Sequence, residues 1–190
     1  MTELPTEARD AVNIIVSEID SVLEELDFVS LSHAVGLIAA SPRVFVVGDG
    51  RSGLVARTFA MRLMHLGQVA YVVGETCTPP VHADDLVIAV SGSGTSDTPL
   101  HVARSAKTHG ALVLMMTTNP QSPLGALADH VVHIPAATKH RRAGEVASVQ
   151  PLSSLFDQSL LVVCDSIALQ LARQRNIDND RARAGHANTE

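Results

Sequence analysis

The sequence predicts an α/β fold, an open five-stranded parallel sheet in a three-layer α/β/α sandwich. Two observations carry that prediction. Short apolar runs rich in Val, Ile, Leu and Met recur along the chain, and helical patterns are interleaved with them. The runs are continuous rather than alternating, which marks strands covered on both faces, and the interleaving marks parallel pairing. The units are too few to close an eight-fold barrel. Size and composition agree: 190 residues suffice for one domain with a sizeable core, and 46% apolar against 18% charged residues exclude disorder over most of the length.

The elements follow in order. After Pro5, the spacing of Val12, Ile15, Ile19, Val22 and Leu26 draws one apolar stripe on a helix that starts at about residue 7. A second helical pattern, roughly Leu31 to Ala40, stops at Ser41-Pro42. Arg43 to Val47 is the first strand, followed at once by Gly48-Asp-Gly-Arg-Ser-Gly53, and Leu54 to Leu66 reads as a helix. Val69 to Val73 is the second strand; Leu86 to Val90 is the third and opens into Ser91-Gly-Ser-Gly-Thr-Ser96. Leu100 to His109 reads as a helix ended by Gly110, Ala111 to Met116 as the fourth strand and Val131 to Ile134 as the fifth. Residues 136 to 150 form a polar connection whose basic run, Lys139 to Arg142, reads as a solvated loop rather than a flap. The last long helix, Leu152 to about Arg173, is apolar around most of its circumference at Leu160 to Cys164, which predicts burial against another subunit. Residues 1–175 thus read as a single domain, and 176–190 as a polar, disordered tail.

Charge and composition exclude several functions. Fourteen Lys and Arg against 20 Asp and Glu give a net charge of −6, so there is no bulk attraction to nucleic acid or an anionic membrane. Aromatics are 3% with no Trp, which removes base-stacking platforms. No apolar run reads as long enough to cross a bilayer, and the acidic start MTELPTEARD is unlike a signal peptide. Two cysteines, Cys77 and Cys164, make neither a disulfide framework nor a zinc site, and predict a reducing, cytoplasmic setting.

Both glycine-containing loops follow apolar strands, on the edge where open parallel sheets bind ligands. Arg51 and Ser52 in the first loop, and the hydroxyls and backbone N–H groups of Ser91, Ser93, Thr95 and Ser96 in the second, suit a phosphate at the positive end of a helix. The first loop also matches Gly-x-Gly-x-x-Gly, with Glu75 near the position that grips a ribose in dinucleotide folds. Against a dinucleotide stand the second Ser/Gly loop, Arg51 within the turn, and the lack of chain for a separate substrate domain.

Six segments resemble a known family: Gly48-Asp-Gly-Arg-Ser-Gly53, Ala60-Met-Arg-Leu-Met-His-Leu-Gly67, Tyr71-Val-Val-Gly-Glu-Thr76, Ser91-Gly-Ser-Gly94, Thr117-Thr-Asn-Pro120 and Gln150-Pro-Leu-Ser-Ser-Leu-Phe-Asp-Gln158. They are similar to the 6-phospho-3-hexuloisomerases, which are sugar isomerase (SIS) domain proteins. The resemblance implies a homo-tetramer that interconverts D-arabino-hex-3-ulose 6-phosphate and D-fructose 6-phosphate in the ribulose monophosphate pathway of formaldehyde fixation. It implies a phosphate held by Ser91, Gly92, Ser93, Gly94, Thr95 and Ser96, with Gly50, Arg51 and Ser52 also lining the site. It implies a carboxylate base at Asp157, where the family usually has Glu; Thr95-Ser96 likewise stand where it usually has Glu-Thr.

Moving a carbonyl from C3 to C2 through a cis-enediolate needs one base and one donor for the developing oxyanion, and no metal or redox cofactor. His65, ending its helix before Gly67, is the expected acid or oxyanion partner, with His82 as an alternative. The competing reading of the same motifs is a non-catalytic SIS-type module that binds a sugar phosphate.

Overall fold

The computed structural model describes residues 4–188. Its helices are α1 (Leu4–Glu24), α2 (Phe28–Ala40), α3 (Gly50–His65), α4 (Asp97–Thr108), α5 (Ser154–Gln174) and α6 (Asn179–Ala184). Its strands are β1 (Arg43–Gly48), β2 (Val69–Val72), β3 (Leu86–Val90), β4 (Leu112–Thr117) and β5 (His130–His133), and a 3-10 turn spans Gly125–Leu127. The five strands pair in the order β2-β1-β3-β4-β5, all parallel.

Alternate strand residues feed two cores. Val44, Val46, Leu86, Ile88, Leu114 and Met116 face α2, α3, α5 and the C-terminal half of α1. Phe45, Val47, Val87, Ala89, Val113 and Met115 face α4 and the segment around Leu124. The order in which strands are added reverses between β1 and β3, the switch point beyond which open sheets bind ligands. Gly48 pairs in register with Val90, so the loops that follow these strands leave the sheet side by side.

Three expectations need correcting. The expected disordered tail, 176–190, holds a helix among its described residues: Asn179–Ala184 form α6, whose N-cap Asp178 accepts a hydrogen bond from the Arg181 N–H, and this helix packs on α3. Helix α5 is 21 residues long and, by length and composition, apolar enough to cross a bilayer, against the sequence reading. It is a core helix instead, with Leu155, Phe156, Leu160, Val163, Ile167 and Leu171 buried against α1, α2 and α3. Finally, the stripe on α1 packs only from Ile15 onward; Val12, Ile14 and Val16 are exposed.

Candidate active site

A cleft of about 440 Å³ opens beyond the carboxyl ends of β1 and β3. Three segments supply its walls: Asp49 to Ser52 at the start of α3, Gly92, Ser93 and Ser96 before α4, and Leu152 to Ser154 with Phe156 and Asp157 at the start of α5. The strap between β5 and α5 adds Thr138, Lys139 and His140.

Three helix N-termini therefore meet in one cavity, and none is capped by its own N-cap side chain. Asp49, Ser96 and Ser153 make no side-chain cap bond to α3, α4 or α5. Ser96 instead shares a 2.9 Å hydroxyl contact with Ser91, and Ser153 Oγ accepts from the Lys139 N–H at 3.1 Å. The first four N–H groups of a helix lack intrahelical partners and carry its positive end, so three such ends concentrate donors for an anion.

Glycines permit the close approach of these turns. A Cβ on Gly53 would lie 2.3 Å from the Gly48 carbonyl oxygen, so α3 could not start so tightly against β1 with any larger residue. Gly94 has φ +67°, and a Cβ there would lie 1.9 Å from Ser122 Oγ. Within this loop the side chains divide their tasks. Ser91 is buried and its Oγ accepts the Gly94 N–H at 3.1 Å, while Thr95 folds back on Ser93 Oγ at 2.9 Å. Gly92, Ser93 and Ser96 are thus the loop residues that line the cleft, and Ser91, Gly94 and Thr95 shape it.

Asp157, in the first turn of α5, is 4% exposed. Ser52 Oγ donates to its Oδ1 at 2.6 Å, and Arg51 Nε lies 3.7 Å from Oδ2. Burial pushes its pKa above the usual aspartate value, against the opposing pull of the Ser52 hydrogen bond and the Arg51 charge. The result is a carboxylate fixed in orientation and made more basic, with one oxygen committed to a hydroxyl and the other beside a guanidinium. Ser52, expected as a substrate contact, spends its hydroxyl on Asp157.

The strap is more ordered than its composition suggested. Arg141, at φ 47°, donates to the carbonyls of Thr138, Leu152 and Gln150, so this exposed residue is also a clamp. Glu145 accepts from the Thr138 N–H and hydroxyl, the Thr118 hydroxyl and the Arg142 N–H. Burial alone would raise its pKa, but these donors hold it below the ordinary glutamate value. Glu18 of α1 anchors the far end of the strap, accepting from Ser148 Oγ, the Val149 N–H and Gln150 Nε2.

Two sequence candidates lie elsewhere. His65 ends α3, whose start holds Ser52 against Asp157; thirteen residues of helix separate them, about 20 Å at the helical rise. In this chain His65 is therefore not the partner of Asp157; it is buried and stacks on His186 with ring centroids 5.2 Å apart. Glu75 pairs with Arg57, both side chains being half exposed, which occupies the residue a dinucleotide ribose would need. Of the alternatives, His82 does not line the cleft, and its backbone N–H donates to Asp85 Oδ2. Among the described residues no three His, Cys, Asp or Glu side chains converge as a metal-ligand set. The sequence reading passed over Thr138 and took Lys139 and His140 for part of a solvated loop; all three line the cleft.

The SIS domain model matches residues 37–172. This chain belongs to the SIS domain family. The matched span of this SIS chain runs from α2 into α5, so it holds the whole sheet and every residue that lines the cleft. The 3-hexulose-6-phosphate isomerase of Bacillus subtilis strain 168 is 42% identical over 153 residues, covering 80% of this chain and 83% of that protein. The 3-hexulose-6-phosphate isomerase of Mycobacterium gastri is 40% identical, over 94% of this chain and 89% of its own. A Methanococcus jannaschii crystal structure, from which a molecular function of 3-hexulose-6-phosphate isomerase has been inferred, aligns with a TM-score of 0.81 at 27% identity, over 95% of this chain and 99% of that one.

Proposed function

We propose that this SIS chain is a 3-hexulose-6-phosphate isomerase, interconverting D-arabino-hex-3-ulose 6-phosphate and D-fructose 6-phosphate in the ribulose monophosphate pathway of formaldehyde fixation. The observation that carries the reading is one cleft holding both an anion cradle and a buried, raised-pKa carboxylate, in a chain 42% identical to an isomerase of that name. A 3-hexulose 6-phosphate has its C6 oxygen esterified, so its C3 carbonyl cannot close a five-membered ring. The substrate is an open chain, and a cleft of about 440 Å³ lined by both the serine loop and Asp157 suits it.

In this mechanism Ser93, Ser96 and the N–H groups at the start of α4 hold the phosphoryl group. Ionised Asp157 takes the proton from C2 of the 3-hexulose, leaving a cis-enediolate; the O2 hydroxyl proton passes to O3, and Asp157 returns its own proton to C3 to give the 2-ketose. The charge that develops on the C3 oxygen meets Arg51 and the first-turn N–H groups of α3. The Ser52 hydroxyl acts on the substrate through Asp157, by holding its carboxylate in one rotamer. A coupled assay that follows fructose 6-phosphate formed from 3-hexulose 6-phosphate tests the reading. Thermal stabilisation by fructose 6-phosphate with no turnover would replace it with a non-catalytic binding module.

We also propose that the chain works as a homo-oligomer, in keeping with the tetramer its family resemblance implies. Val12, Ile14 and Val16 of α1 and Leu161 and Leu169 of α5 are apolar and exposed in the single chain. Light scattering on the purified protein tests this, and a monomeric mass would overturn it.

A further inference from the structure

The strap over the cleft carries a cation that the mechanism above leaves unused. Lys139 lines the cleft, and no carboxylate pairs with its ammonium among the described residues. The other strong cation there, Arg51, is already beside Asp157. Lys139 also stands in a definite place. Its N–H is held by Ser153 Oγ, and the preceding Thr138 packs its methyl 3.2 Å from where a Cβ on Gly92 would lie, against the phosphate loop itself. Thr138 is fixed in turn by Glu145, whose side chain is 4% exposed and receives both the Thr138 N–H at 2.9 Å and the Thr138 hydroxyl at 2.8 Å. The Thr118 hydroxyl at 3.0 Å ties the same carboxylate to the end of β4. A buried acid thus serves as a pin between the sheet and the strap.

We infer that Lys139 is a cationic ligand of the substrate's phosphoryl group, and that Glu145 is the positioning residue that holds it there. This rests on the reading of the cleft as a sugar-phosphate site. A phosphate monoester carries close to two negative charges at neutral pH, and the serine loop offers it only dipoles. A lysine adds the point charge that suits a phosphoryl group and that backbone N–H groups cannot supply.

The test is calorimetric titration with fructose 6-phosphate, alongside steady-state kinetics with 3-hexulose 6-phosphate. Lys139→Met should raise Kd and KM about tenfold, the loss of one charge-assisted contact, with the effect falling on KM rather than kcat. The advantage of the parent protein over this variant should shrink as salt is added. Glu145→Gln should raise KM in the same direction, and Lys139→Met/Glu145→Gln should be no worse than the weaker single variant, because both act through one ammonium. Should Glu145→Gln fail to fold, Thr118→Val loosens the same pin and takes its place in the cycle. A Lys139→Met protein with Kd and KM within twofold of the parent would overturn the ligand role. Additive single effects would overturn the positioning role. A parent protein that binds fructose 6-phosphate but turns over no 3-hexulose phosphate would sink the isomerase reading, while the same titrations still decide Lys139.

Discussion

Helices α2 and α6 start far from the cleft, and each begins on an aspartate that caps it: Asp27 accepts from the Val29 and Ser30 N–H groups, and Asp178 from that of Arg181. Helices α3, α4 and α5 start at the cleft, and none is capped by the side chain at its N-cap. The difference separates structural from functional helix ends. A capping side chain satisfies the orphan N–H groups and stabilises the helix by about 1 kcal/mol. An end without one gives up that increment and keeps its donors for a ligand. Asp49 makes the point most sharply, since an aspartate stands at the N-cap of α3 and still does not cap it.

The largest expected effect breaks the functional side of this comparison at its acid. Asp157→Asn should lower kcat by about a thousandfold or more, the scale of general-base catalysis, in the coupled assay. The same variant should melt higher. Because the folded pKa of Asp157 lies above its unfolded value, ionising it costs the fold stability, and that cost grows as pH rises from the ordinary aspartate pKa through the raised one. An uncharged isostere that still accepts from Ser52 removes the cost at neutral pH, for a gain of about 2–4 °C by scanning calorimetry.

Next in size is turning a ligand-binding end into a capped one. Ser96→Asp would place at α4 the residue type that caps α2, and should repel the phosphoryl group, raising KM about tenfold or more while the helix itself gains stability. A retained KM would break the link between free helix ends and binding. The pH profile sharpens the comparison further. The base works only when ionised, so kcat/KM should fall as pH drops through a pKa above the ordinary aspartate range. Arg51→Ala, by removing the cation that opposes burial, should move that limb still higher. The smallest effect lies at the structural ends: Asp27→Ala should cost about 1 kcal/mol in urea unfolding and leave kcat/KM where it was.

Much of this was legible in the residues. Continuous runs such as Leu86–Val90 announced a sheet buried on both faces, and their order placed two Gly/Ser loops on one edge. Asp157 and the serine loop were legible because a motif carries them. The place of His65 was not legible, since a histidine beside a motif says nothing about which end of a 16-residue helix faces the cleft of its own chain. The strap was half legible: Lys139, His140 and Arg141 are exposed as read, but the order of the segment was not foreseen. Lys139 to Arg142 read as solvent-facing charge alone because the partners that order it, Thr118 and the carbonyls of Gln150 and Leu152, are set by tertiary folding and not by periodicity. Residues 179–184 were too polar and too short to announce a helix, whose stability comes from its Asp178 cap and its packing on α3.

The Glu18 tether has a consequence for how the molecule comes into being. It joins the first helix to Ser148, 130 positions away. As the chain leaves the ribosome, β1 to β4 can pair and bury their side chains before either the strap or α5 has been made. The nascent protein would then possess a core before it possesses a binding pocket, and α1 must wait until all five strands have been made before its glutamate finds the groups it was placed to receive.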